Sequence, residues 1–131
     1  MSERGSFACA ITCIDGRIQE PVSHWLKARL HIDHLDTITE AGPDKVLSSG
    51  SKEEVEAILK KVLISVNAHH SRTLAIVSHH DCAGNPVSKK EHLRMLEGSV
   101  KVISAWGMAL RIITVYVNEE WAVELIFDSQ K

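Results

Sequence analysis

No apolar run in the chain approaches the roughly 20 residues that a membrane-spanning helix needs, so no membrane partner is expected. The first residues, Met-Ser-Glu-Arg-Gly-Ser, hold no hydrophobic segment of the signal-peptide kind, and a cytoplasmic location is expected. Basic clusters are missing as well. The formal net charge of -2 argues against nucleic acid or an anionic lipid surface as the main partner. Cysteine is scarce and odd in number, and three residues do not make a disulfide framework. In a reducing compartment such cysteines serve as ligands, catalytic groups or core residues. Internal repeats, low-complexity tracts and linkers are absent. What remains is a 131-residue chain with 44% hydrophobic residues, which fits one globular domain over residues 1–131 with a core of its own.

The apolar pattern alternates between strand and helix. Residues 7–14 (FACAITCI) read as a buried strand. Pro21 marks the start of a helix, with Val22, Trp25, Leu26 and Leu30 at helical spacing. Residues 34–41 (HLDTITEA) alternate apolar and polar, and Gly42-Pro43 ends them. Ser51 and Glu54 form a capping box ahead of a long stripe through Val55, Ile58, Leu59, Val62, Leu63 and Val66. Residues 73–78 (TLAIVS) are a further buried strand. Ser88 and Glu91 repeat the capping box before a helix carrying Leu93, Leu96, Val100, Ile103 and Trp106. Residues 111–117 (RIITVYV) are a fourth strand, and residues 121–127 suggest a short edge strand. The succession predicts an α/β fold: a mostly parallel sheet of about four strands, order 2-1-3-4, helices on both faces and a possible extra edge strand at the C-terminus.

In such sheets the chemistry lies beyond the carboxyl ends of the strands. Cys13-Ile14-Asp15-Gly16-Arg17 follows the first strand, and His79-His80-Asp81-Cys82 follows the third. A His-x-x-Cys step on a tight turn can aim an imidazole and a thiolate at one ion, and zinc accepts both. Cys13, at the end of a neighbouring strand, adds a second sulfur. Three protein ligands leave the fourth tetrahedral position open, as in catalytic zinc sites. Asp15 and Arg17 stand close enough in sequence to form a bidentate pair. Arg17 then keeps Asp15 ionised and fixes its direction. Asp15 can accept a hydrogen bond beside the metal, or swing in as a fourth ligand.

Cys-x-Asp-x-Arg followed by His-x-x-Cys, each after a parallel strand, resembles the β-class carbonic anhydrases. The likeness runs from Phe7 to Val117 and includes Ala41-Gly42 after the second strand and Ala75 to His79 leading into the histidine. The resemblance implies that Cys13, His79 and Cys82 are zinc ligands and that Asp15 and Arg17 form the catalytic dyad. It also implies reversible hydration of carbon dioxide to bicarbonate by a zinc hydroxide, in a homodimer. This chain departs from the family pattern at Gly16, where serine is usual, at Ala83, where glycine is usual, and at Glu40, where asparagine is common. Only twelve residues precede Cys13, and none is the glutamine that family members carry upstream.

Two other functions share this residue set. One is a zinc-binding module without turnover. The other is a hydrolase of a carbon dioxide analogue such as carbonyl sulfide or carbon disulfide. A cysteine phosphatase is excluded, because the arginine it needs six positions after Cys13 is Gln19. Cys9 reads as a core residue. His80 and Asp81 read either as hydrogen-bonding neighbours of the ligands or as solvent-facing turn residues. His31 and His34 read as solvent-facing. His69 and His70 end the long helix, where its dipole favours a cation. The three tryptophans read as core or interface residues.

Overall fold

The computed structural model describes residues 5–130; Met1–Arg4, part of the stretch read for a leader, lie outside it. The elements follow in the order β1 (Phe7–Thr12), α1 (Gln19–Leu30), β2 (His34–Thr39), α2 (Pro43–Ser49), α3 (Lys52–His69), β3 (Thr73–His79), α4 (Lys89–Ser104), β4 (Arg111–Val117) and β5 (Val123–Asp128). They build a five-stranded sheet of order β2-β1-β3-β4-β5. The first four strands are parallel, and β5 joins the β4 edge antiparallel. The expected order and the C-terminal edge strand are both present.

Strand parity divides the core into two layers. Cys9, Ile11, Leu74, Ile76 and Ile112 face α2, α3 and α4 through Leu47, Ile58, Val62, Leu96 and Ile103. Ala10, Ala75, Val77, Ile113 and Val115 face α1 through Val22 and Leu26. Burial on both faces explains why β1, β3 and β4 read as unbroken apolar runs. Each fully buried leucine or isoleucine contributes roughly 1.5–3 kcal/mol.

The helix ends show where local rules held. Ser51 and Glu54 form both halves of the capping box. At α4 only one half forms: Ser88 Oγ accepts from the Glu91 N–H, while Arg94 takes the Glu91 carboxylate at 2.8 Å. Helix α1 begins two residues before Pro21, because Gln19 and Glu20 fill the first turn and Pro21 lacks only an N–H that has no partner there. Helix α2 was not expected, since Gly42-Pro43 read only as a strand terminator. Pro43 is instead its first residue, after Gly42 at φ 66°. His69 does more than meet a helix dipole: its Nδ1 lies 2.6 Å from Asp36 Oδ2, tying α3 to β2. Among the described residues no helix is long and apolar enough to cross a membrane.

Candidate metal centre

Strands β1 and β3 are neighbours, so the residues that leave their carboxyl ends meet. Cys13 follows β1 directly and His79 ends β3. The chain then turns through Asp81, at φ 57°, a left-handed conformation that aspartate tolerates better than most residues. This turn brings Cys82 back beside His79. The ligand atoms of Cys13, His79 and Cys82 all lie within 4.8 Å of one another, and all three residues are buried. The two sulfurs stand 3.8 Å apart, and neither cysteine is in a disulfide.

Hydrogen bonding fixes the state of the imidazole. His79 Nδ1 lies 2.7 Å from the His80 carbonyl, which can only accept, so Nδ1 carries the proton. Nε2 is therefore left with a lone pair, and it is buried with no hydrogen-bond partner. Burial also holds the His79 pKa below its usual value, which favours the neutral ligand form. An orphaned buried nitrogen facing two thiols fits a metal ion. Two sulfurs held about 2.3 Å from one tetrahedral zinc would be about 3.8 Å apart, which agrees with the observed spacing. The soft sulfur and borderline nitrogen donors also suit zinc. Without a metal, burial and the nearby Cys13 push the Cys82 thiol up to about 11. A coordinated thiol loses its proton outright.

Asp15 and Arg17 form the expected pair and more. Asp15 accepts from Arg17 Nη2 at 2.7 Å, from Nε at 3.0 Å and from the Arg17 N–H at 2.8 Å. The Arg17 guanidinium, bonded directly to it, holds the Asp15 carboxyl down at about 2. Asp15 Oδ2 stands 4.0 Å from His79 Nε2, at the border of the three candidate ligands.

Three contacts were not legible in the sequence. Gln19 Nε2 donates to the carbonyls of both Cys13 and Asp15 at 2.8 Å and so pins the loop between them. Arg17 also donates to the Asp81 carboxylate at 3.2 Å and to its carbonyl at 3.1 Å, linking the segments that carry Cys13 and Cys82. The Asp81 side chain is exposed even so. Trp121, read as a core or interface residue, lies under the Arg17 guanidinium at 4.5 Å. Cys9 is buried, as expected of a core residue, and burial pushes its thiol up to about 11.

Ala41-Gly42 has a packing role beside this site. A Cβ on Gly42 would meet the Gly84 carbonyl oxygen at 2.8 Å, and one on Gly84 would meet the Ala41 carbonyl carbon at 2.6 Å. The turn after β2 therefore lies backbone to backbone against the turn that carries Cys82. Beside that turn, a cleft of about 410 Å³ is lined by His80, Cys82, Pro86, Lys89 and Tyr116, among others.

The family model described as "Putative carbonic anhydrase" matches residues 3–127. The chain belongs to this family. The fold agrees: the crystal structure of β-carbonic anhydrase isoform I from the protozoan Trichomonas vaginalis superposes with a TM-score of 0.61. That likeness covers 92% of this chain and 82% of the other, at 14% sequence identity. No curated protein sequence matches this carbonic anhydrase-like chain significantly.

Proposed function

We propose that the chain is a zinc-dependent carbonic anhydrase that hydrates carbon dioxide reversibly to bicarbonate. One observation carries this reading beyond metal binding. Asp15 is gripped on both oxygens by Arg17 and held 4.0 Å from the unpartnered His79 nitrogen. A metal that only braced the fold would need no oriented carboxylate at its side.

Cys13, His79 and Cys82 would hold the zinc. Bound there, zinc supplies a Lewis acid that lets a water ionise near neutral pH. Asp15 is ionised and accepts hydrogen bonds only. A nucleophile bonded to it must turn its free lone pair away from the carboxylate, toward carbon dioxide. Arg17 prevents Asp15 from swinging in as a ligand, and Trp121, Asp81 and Gln19 hold this arrangement in place. The thiolates donate charge to the metal, so activity should rise with pH. The unbridged cysteines suit a reducing compartment, and the cytosol is the proposed location.

The test is stopped-flow carbon dioxide hydration on protein of measured zinc content, with Asp15→Asn beside the parent. Hydration that collapses in Asp15→Asn, with zinc intact in both, supports the enzyme. A zinc-loaded parent that is inactive even at alkaline pH points to a module without turnover, or to hydrolysis of carbonyl sulfide or carbon disulfide. Activity unchanged by Asp15→Asn refutes the role given to the dyad. We also propose a homodimer, which the exposed Leu125, Ile126 and Phe127 on the edge strand support. A monomer in sedimentation at tens of micromolar, above the dissociation constants of about 1 μM or less expected of stable dimers, would count against it.

A further inference from the structure

A buried polar anchor lies behind the Cys82 turn, and the catalytic reading above gives it no task. Asp44, in the first turn of α2, is completely buried, and all its oxygens are engaged. Oδ1 accepts from Asn85 Nδ2 at 3.0 Å and from the Lys45 N–H at 3.0 Å. Oδ2 meets His92 Nδ1 of α4 at 2.6 Å. Its main-chain carbonyl accepts from Ser48 Oγ and Ser99 Oγ. His92 and Asn85 are themselves 1% and 2% exposed. A carboxylate is tolerated at such depth only when its acceptors are satisfied, as here.

A tie between α2 and α4 would need only Asp44 and His92. Asn85 belongs to neither helix. It closes the turn that carries Cys82, with its N–H on the Cys82 carbonyl at 3.3 Å. Pulling Asn85 toward Asp44 therefore sets the place of the turn from which the Cys82 sulfur projects. Gly84 lies on Ala41 and Gly42 just before α2, so the turn is clamped from the same side by backbone contact.

We propose that Asp44, braced by His92, is a positioning residue for Cys82. It holds Asn85, and through the Asn85 N–H on the Cys82 carbonyl it keeps the Cys82 sulfur in place beside Cys13 and His79, which controls how firmly the thiolate keeps its metal. The inference rests on the reading of Cys13, His79 and Cys82 as zinc ligands. Hydrogen-bond partners behind metal ligands commonly change metal affinity about 10- to 100-fold.

The experiment uses the full chain loaded with zinc, and separately with cobalt(II). Zinc release is timed against excess 4-(2-pyridylazo)resorcinol, the cobalt–thiolate absorption is recorded, and urea midpoints are measured on the metal-free proteins. Asp44→Asn and Asn85→Ala should each release zinc about tenfold faster or more and shift the cobalt–thiolate bands. Asp44→Asn combined with Asn85→Asp should restore slow release, because an amide at position 44 can accept from His92 while donating to a carboxylate at position 85. If Asp44→Asn does not fold, Asn85→Ala decides alone, since it leaves the Asp44–His92 pair intact. Unchanged release and unchanged cobalt spectra in the single variants would overturn the proposal, whatever the urea midpoints, and would leave the metal site standing. A parent that takes up no zinc overturns the metal reading, and this inference with it.

Discussion

Asp128 allows the electrostatic account of the fold to be tested through pH. Its side chain is fully buried on edge strand β5. Oδ1 accepts from Arg111 Nε at 2.9 Å and from the Gln130 N–H at 3.0 Å. Oδ2 accepts from Arg111 Nη2 at 2.6 Å and from Arg29 Nη2 at 3.0 Å. One carboxylate thus joins β5, β4 and α1. The Arg111 bonds in particular hold its carboxyl well below the usual carboxylate range. The native group therefore protonates at lower pH than the unfolded one. Its stabilisation is complete above roughly pH 4, where the unfolded carboxyl is ionised, and is lost as the pH falls toward the native value. Asp128→Asn keeps the shape and removes the charge. Charge-assisted bonds are worth about 1.5–3 kcal/mol each. The Arg111 and Arg29 side chains are 24% and 32% exposed, so water recovers part of that on substitution. The expected loss at pH 7 is about 2–4 kcal/mol in total, or roughly 8–16 °C in Tm. Urea unfolding of parent and variant at pH 7 and pH 3 measures it. The gap between them should shrink by about 1 kcal/mol at pH 3. A gap that stays equal or widens at low pH would refute the assignment.

Two further outcomes are expected. Protein resupplied with metal should bind close to one zinc per chain, and Cys82→Ser or Cys13→Ser should weaken binding by more than about 100-fold, beyond the effect of losing an outer partner. Chelator competition reads this, and equal affinity in parent and variants would exclude both sulfurs as ligands. Gly84→Ala forces a Cβ to within 2.6 Å of the Ala41 backbone, which cannot give way as a flexible side chain would. It should cost about 1–3 kcal/mol in urea unfolding and speed zinc release, because the Cys82 turn must shift. An unchanged midpoint would show that the two turns part easily.

The sequence by itself determined the alternation of elements, the strand order and the three residues gathered at the candidate metal site. Strands β1, β3 and β4 are buried on both faces, so they had to appear as continuous apolar runs. Handedness and crossover rules then left few ways to order them. Cys13, His79 and Cys82 were legible because each sits at or just after a strand end, where a parallel sheet brings separate segments together. Apart from the local Asp15–Arg17 and Ser51–Glu54 pairs, only the structure decided which polar groups meet. Helix α2 buries only a short face around Leu47, too little to leave a helical stripe. Ser88 and Glu91 had the spacing of a capping box, but Arg94 took the carboxylate. Gln19, Asp81 and Trp121 gained their roles from where loops cross. His92 and Asn85 lie 48 and 41 residues from the Asp44 they meet. Local periodicity records only which face of an element is buried, and a hydrogen bond between distant turns leaves no trace in it.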